Sequence, residues 1–152
     1  MASKKISERV SHELTIGMIQ LGSADGRRQH VSCTYPDGSL IAGPDPEAQP
    51  HPALRVSASD QDDIIWSSRL PFWVDFEGAP TGIFFRPLPW KSVRGRDGLH
   101  RVHSGPVNPQ ATSFVKKDGL ELKFIVRKRK HEESDEEDPD VCALDPHIIV
   151  EP

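Results

Sequence analysis

A thiol and an imidazole near the end of the chain are the side chains with the clearest capacity for chemistry. Cys142 and His147 lie five positions apart, and transition metals bind both thiolate and imidazole well. A complete site would still need another ligand, such as His103 or His131. Since no Cys-x-x-Cys or His-Glu-x-x-His spacing occurs, we expect a strand cysteine and a surface histidine, with no metal and no cofactor.

Catalytic patterns are equally sparse. Ser104 follows His103, but the sequence has no Gly-x-Ser-x-Gly motif and no glycine-rich phosphate loop. In a strand, His100 and His103 would point to opposite faces and could not share a metal ion. The acidic pair Asp62 and Asp63 stands at a strand entry, where carboxylates commonly form turns. These observations predict a protein that is not an enzyme.

Composition favours a small domain built from strands. The chain has 152 residues, 36% of them hydrophobic, with 14 prolines and 11 glycines. Proline breaks helices and suits the ends of short strands. The net charge of −4 argues against nucleic-acid binding by the whole domain. Because neither an apolar membrane segment nor a secretory leader is evident, we expect a cytoplasmic location and no membrane contact.

Residues 1–22 form an N-terminal extension, helix or strand, whose structure the pattern leaves open. Apolar residues four apart, among them Leu14 and Met18, indicate a helix, whereas Leu14, Ile16 and Met18 also alternate as in a strand. We expect a helix over residues 3–12 that gives way to a strand.

Residues 23–152 are predicted to form a single all-β domain. Apolar and polar residues alternate over 54–58, 72–77 and 120–127, and turn residues separate these runs. The five prolines within residues 36–52 indicate a long surface loop. Short strands with this punctuation are typical of an antiparallel β-sandwich.

Two segments carry a family resemblance: Asp63-Ile64-Ile65-Trp66 with the Pro71-Phe72 turn, and the final hairpin from Leu120 to Val150. The chain resembles cupredoxin-like (plastocyanin-like) β-sandwiches, and immunoglobulin-like sandwiches fit nearly as well. The cupredoxin resemblance implies a copper ion held by two histidines, a thiolate and often a methionine. Here Phe72 and Trp73 stand where the first histidine belongs, and no methionine follows Cys142, so the copper ligands are incomplete. A metal-binding cupredoxin-like protein using Cys142 and His147 is the alternative function.

Aromatic residues around the 83–90 loop give the strongest indication of binding. If Phe72 and Val74 face the core, Trp73 faces outward. Aromatic and arginine side chains are enriched in protein-binding surfaces. The predicted partner-binding residues are Trp73, Phe84, Phe85, Leu88, Trp90, Arg69 and Arg86. The alternative is that the loop folds back, closes the end of the sandwich and buries these rings.

A charged hairpin loop over 127–140 juxtaposes a basic block and an acidic block. We expect a solvated hairpin tip, open to proteases, in which Ser134 precedes the acidic residues that an acid-directed kinase recognises. Its charged residues are Arg127, Lys128, Arg129, Lys130, Glu132, Glu133, Asp135, Glu136, Glu137 and Asp138. The predicted function is therefore a non-enzymatic partner-binding or regulatory domain that contacts another protein, with cleavage or modification of this hairpin as a means of control.

Overall fold

The computed structural model describes residues 9–21, 28–35, 40–42, 54–77, 82–110, 119–142 and 147–152. These ranges contain twelve strands and no α-helix, which confirms the all-β prediction. The strands are β1 (Ser11–Leu21), β2 (Arg28–Thr34), β3 (Leu40–Ala42), β4 (Leu54–Ser57), β5 (Asp63–Ser68), β6 (Phe72–Glu77), β7 (Trp90–Lys91), β8 (Val93–Arg94), β9 (His100–His103), β10 (Leu120–Lys128), β11 (Val141–Cys142) and β12 (His147–Glu151). Within the same ranges, no helix has the length and apolar character needed to cross a membrane.

The strands form two sheets, in agreement with a β-sandwich. The first sheet has the order β11-β2-β1-β5-β9-β8, with β3 beside β2, and the second has the order β4-β12-β10-β6-β7. Three pairs are parallel: β1 with β5, β2 with β11, and β4 with β12. The sheets are therefore mixed, whereas the prediction was an antiparallel sandwich. A tight hairpin cannot connect the two strands of a parallel pair, so each of these pairs needs a longer connection.

The core lies between the sheets and is filled by alternate residues of the strands. In β6, Phe72, Val74 and Phe76 are buried, as the alternation predicts. An aromatic cluster occupies the centre, with ring centroids 4.9 to 6.3 Å apart, a range in which aromatic pairs attract. The members of this aromatic cluster are Trp66, Phe76, Phe84, Trp90 and Phe124.

Residues 11–21 of the N-terminal segment form a central strand, as expected for the strand that follows the predicted helix. β1 pairs antiparallel with β2 on one side and parallel with β5 on the other, and it buries Leu14 and Ile16. The helix predicted for residues 3–12 is wrong where the structure describes it, since residues 11–12 belong to β1 and residues 9–10 are not helical. The remaining residues of that prediction lie outside the described ranges. Backbone pairing on both sides outweighs the helical spacing.

The proline-rich segment is only partly described. Leu40–Ala42 within it forms β3, which pairs antiparallel with β2. The rest of the predicted surface loop, 36–52, lies outside the described residues. The prediction of a continuous loop is thus wrong at β3, where a short apolar run between prolines pairs with β2 of the first sheet.

A buried carboxylate fixes the start of the parallel pair β1–β5. Asp62 is 4% exposed, and its Oδ1 accepts a hydrogen bond from the Val10 N–H at 3.0 Å. Its Oδ2 accepts from the Ser57 N–H at 2.9 Å and lies 2.9 Å from His12 Nε2. The sequence predicted a turn carboxylate here. Its contacts instead join three strands or strand ends, and a parallel pair needs such fixing because no hairpin sets its register.

Candidate functional site

A groove opens where the chain crosses from the second sheet to the first. The crossing is short, since the single residue Ser92 separates β7 from β8. Ser92 is buried, its N–H donates to the Phe72 carbonyl, and its hydroxyl accepts from the Phe72 N–H, each at 3.0 Å. Alternation about Ser92 turns Lys91 and Val93 outward. The groove has a volume of about 320 Å³, and its main lining residues are Arg86, Lys91, Val93, Arg94, Arg101 and His103, here called the basic groove.

The β8–β9 hairpin carries two of these cations, Arg94 on β8 and Arg101 on β9. Val93 pairs with Arg101 and Arg94 with His100 across the hairpin. Gly98 has a φ of 82°, a left-handed conformation that the tight turn requires and that glycine adopts without strain. Arg101 forms an ion pair with Asp97, and this hydrogen bond lowers the pKa of Asp97 to about 2.

Val93 adds an exposed apolar side chain to the lining of the basic groove, and Phe85 is exposed next to Arg86 in the sequence. Phe85 is 61% exposed and Val93 is 71% exposed, which makes them the most exposed large hydrophobic residues in the described part of the chain. The Arg86 side chain contacts β7 and β9. Its guanidinium carbon is 5.7 Å from the centroid of the Trp90 ring, and its Nη1 donates to the His103 carbonyl at 2.5 Å. Arginine beside exposed aromatic and aliphatic groups is the composition of a protein-binding surface.

Residues 131–138, here called the acidic loop, lie against one side of this groove. Asp135 Oδ1 is 2.5 Å from Lys91 Nζ, and Glu132 Oε2 is 3.3 Å from Arg94 Nη1. The carbonyl of Asp135 also accepts a hydrogen bond from the indole N–H of Trp73 at 3.0 Å. The hydrogen bond from Lys91 holds the pKa of Asp135 below its usual value. The acidic loop therefore binds the cations of the groove within the same chain.

The buried side chain of Arg129 binds the acidic loop through hydrogen bonds. Its side chain is 1% exposed, and its Nη1 donates to the carbonyls of Glu132 at 2.9 Å and Ser134 at 3.2 Å. Its Nη2 donates to both the carbonyl and the hydroxyl of Ser92, each at 3.3 Å. Burial is the main cause of a lowered Arg129 pKa. A single guanidinium thus ties the loop to the crossing between the two sheets.

Ion pairs close the base of the hairpin that carries the loop. Three cross-strand pairs, with nitrogen–oxygen distances of 3.6, 2.8 and 2.8 Å, join Arg127 to Glu137, Lys128 to Asp138 and Lys130 to Glu136. The backbone N–H of Lys130 also donates to the Glu136 carbonyl at 3.0 Å. The two charge blocks of the 127–140 segment therefore pair with each other. Most side chains of residues 130–140 are exposed, as predicted for a solvated tip, and the loop also contacts β6, β7 and β8 through Trp73, Lys91 and Arg94.

The predicted partner-binding residues do not form one surface. Phe84 and Trp90 are buried in the aromatic cluster, so the interpretation of these two as exposed is wrong. The alternative, in which the 83–90 loop closes the sandwich and buries its rings, describes them correctly. Leu88 is partly buried and packs against the core. Prolines predicted a loop, but which rings it turns inward depends on packing against β5, β6 and β10.

The other predicted residues are divided between two places. Arg86 lines the basic groove, Phe85 precedes it in the sequence and is exposed, and Trp73 is half-buried beside the acidic loop. Arg69 is exposed at a different groove of about 440 Å³, near Met18 and Leu70 at the end of β5. Arg69 is therefore not part of the same site.

Sequence reasoning missed the cations of β7, β8 and β9. A signal was present, because residues 86–101 contain five basic residues and a single acidic one, Asp97, in a chain of net negative charge. The overall charge of −4 concealed this local excess. A count by segment would have identified Lys91, Arg94 and Arg101.

The residues considered for metal binding are not gathered in the described part of the chain. No group of three His, Cys, Asp or Glu side chains suited to a metal ion occurs among the described residues. His100 is buried and His103 exposed, as expected for opposite faces of a strand. Cys142 ends β11 in the first sheet, whereas His147 begins β12 in the second. Burial raises the pKa of the other cysteine, Cys33, to about 12, so its thiol is unreactive.

Comparison with family models, curated proteins and solved structures finds no match to this chain. The functional argument therefore depends on the contacts of the site itself.

Proposed function

We propose that this protein is a non-enzymatic partner-binding domain whose basic groove binds an acidic segment of another protein. The acidic loop is then an internal occupant that the partner displaces. One observation carries this proposal: Glu132 and Asp135 already pair with Arg94 and Lys91 on the groove. A partner segment that presents carboxylates at a similar spacing can form the same pairs.

The internal contacts are weak enough to be exchanged. Both ion pairs between the loop and the groove are solvent-exposed, and exposed pairs of this kind stabilise a protein by about 0–1 kcal/mol each. A partner that adds apolar contact with Val93 gains more than the internal loop, which leaves this residue 71% exposed. Displacement therefore requires only a modest additional affinity.

The geometry of the groove suits an extended segment. In the described part of the chain, β7 pairs only with β6 and β8 pairs only with β9, so each ends its sheet. Extended peptides commonly add to such edges by backbone hydrogen bonds, while side-chain contacts provide specificity. The neighbouring cations fit carboxylates, which selects an acidic peptide.

We expect an acidic protein segment and not nucleic acid, because the overall charge of −4 argues against nucleic-acid binding by the domain. We keep the cupredoxin-like or immunoglobulin-like class as part of this proposal, supported by the two packed sheets and the buried Trp66 of the Asp63–Trp66 motif. A cytoplasmic location is likewise proposed, and the free thiol of Cys33 is consistent with it.

The experiment measures binding of a fluorescein-labelled decapeptide that copies residues 131–140, by fluorescence anisotropy at low salt. Arg86 lines the groove, and its described contacts are with Trp90 and His103. Arg86→Gln therefore removes a cation that the peptide would contact and leaves the ion pairs between the acidic loop and the groove in place. We expect Arg86→Gln to weaken binding about threefold to fivefold, equivalent to about 1 kcal/mol. Val93→Ser is expected to weaken binding of a peptide with an added leucine.

The matched control is Arg96→Gln, which removes an exposed arginine that does not line the groove. It should leave the affinity nearly unchanged. A second control peptide, with every carboxylate replaced by an amide, should not bind. Equal losses in Arg86→Gln and Arg96→Gln, or tighter binding of a single-stranded oligonucleotide of equal charge, would contradict the proposal.

A further inference from the structure

Ser134 lies in the acidic loop and contacts the buried guanidinium of Arg129. Its carbonyl accepts the hydrogen bond from Arg129 Nη1 at 3.2 Å, and its hydroxyl accepts from the Glu136 N–H at 3.1 Å. The side chain is half-buried and lies in a surface loop. Asp135, Glu136 and Glu137 follow it, the arrangement that kinases with a basic substrate groove recognise.

Arg129 has no anionic partner in the described part of the chain. Its four hydrogen bonds all go to neutral oxygens, and no described carboxylate oxygen lies within 4.0 Å of it. Its Nε is buried and has no hydrogen-bond partner. Glu132 and Asp135 attract this buried charge without forming an ion pair with it. An anion brought into contact with Arg129 would therefore form an ion pair that the described residues do not supply.

We propose that Ser134 is a phosphorylation site for an acid-directed serine kinase, and that its phosphate pairs with Arg129 and holds the acidic loop closed. In the transfer, Ser134 Oγ forms a bond to the γ-phosphorus of ATP while the bond from that phosphorus to the bridging oxygen of ADP breaks. The hydroxyl proton passes to a carboxylate base of the kinase, and ADP leaves. The consequence for partner binding depends on the proposed function: a locked loop keeps Lys91 and Arg94 occupied.

We expect a phosphate on Ser134 to close the acidic loop and not to open it. The charge that attracts the phosphate, on Arg129, is buried, whereas the carboxylates that repel it are exposed to solvent. Arg129 is buried, where the effective dielectric is about 20, so a charge at a given distance is felt about four times as strongly as in water. The carboxylates of Asp135 and Glu136 are solvent-exposed, and salt screens their repulsion. Phosphate opposite arginine commonly orders a loop for this reason.

The test treats the full chain with an acid-directed kinase and ATP and locates the phosphate by mass spectrometry, with Ser134→Ala as control. Hydrogen exchange is then measured at the amides of Lys130 and Asp138, which donate across the base of the loop to the carbonyls of Glu136 and Lys128. We expect phosphate on Ser134 and at least tenfold slower exchange at both amides, with β12 amides as an unchanged reference. Absence of phosphate at Ser134, or unchanged or faster exchange, would overturn the proposal.

The same samples separate this proposal from the proposed function. Binding of the 131–140 peptide should be at least tenfold weaker to the phosphorylated chain than to the unmodified one. Slower exchange with no peptide binding to either form would support the phosphate lock and refute the binding function. Peptide binding to both forms with unchanged exchange would refute the lock alone.

Discussion

The 83–90 loop leads to β7 of the second sheet and the acidic loop leads from β10 of the second sheet to β11 of the first, and the two loops are held in opposite ways. The first buries Phe84 and Trp90 in the aromatic cluster by apolar contact. The second is held by exposed ion pairs and by the polar contacts of Arg129. Apolar burial stabilises a protein by about 1.5–3 kcal/mol for each large side chain, whereas an exposed ion pair contributes about 0–1 kcal/mol. The first loop is therefore part of the core, whereas the contacts of the second with the basic groove are weak, as the proposed exchange with a partner requires.

The largest expected effect comes from the core loop. Trp90→Ala should lower the free energy of unfolding by about 3–5 kcal/mol, because it removes a buried indole that contacts three other rings. Urea denaturation measures this change. Phe85→Ala, five residues earlier and exposed, should change stability by less than about 0.5 kcal/mol. Similar losses in the two variants would mean that the 83–90 loop is not part of the core.

The same comparison explains which parts of the structure the sequence predicts. The strands β6 and β10 were predictable because their alternation is local and unbroken. β1 was not, since Leu14 and Ile16 fit two periods and the choice depends on β5 and Asp62, about 50 residues away. Burial of Trp90 and Arg129 depends on distant packing too, because Arg129 contacts Ser92 across 37 residues. Paired charges in 127–140 were visible in the sequence, but the side of the sandwich they cover was not.

Arg129→Met, which removes the guanidinium bound to the acidic loop, is expected to have an intermediate effect on stability. Arg129→Met keeps the approximate length of the side chain but leaves the carbonyls of Glu132 and Ser134 without their donor. Each unsatisfied buried group costs about 1–3 kcal/mol, and loop opening limits the loss by letting water reach these carbonyls. We expect faster exchange at the Lys130 and Asp138 amides, while amides of β12 stay protected. Loss of protection throughout the second sheet would instead show that the loop belongs to the core.

The smallest effect is expected from acid, which should loosen the acidic loop before the core. Hydrogen bonds from Lys91, Lys130 and Lys128 lower the pKa values of Asp135, Glu136 and Asp138 in the folded chain. Their contribution to stability is therefore fully present above the ordinary pKa values, 3.8 for aspartate and 4.5 for glutamate, and is lost as the pH falls through the lower folded values.

Acrylamide quenching can follow this change through Trp73, because Trp66 and Trp90 are buried in the core. Quenching should stay constant from pH 7 to about pH 4 and rise below that, while the near-ultraviolet circular dichroism of the core changes later. A rise in quenching between pH 7 and pH 5 would assign the loop contacts to groups other than these carboxylates.

Displacement of the acidic loop by a partner is the central claim, and one titration tests it directly. The double variant Glu132→Gln, Asp135→Asn removes the two carboxylates that pair with Arg94 and Lys91 while preserving the side-chain shapes. The anisotropy titration with the 131–140 peptide is compared between this variant, the wild type and the control Glu133→Gln, whose carboxylate makes no described contact with the groove. We predict threefold to tenfold tighter binding to the double variant and no change in the control. Equal or weaker binding to the double variant would contradict the account.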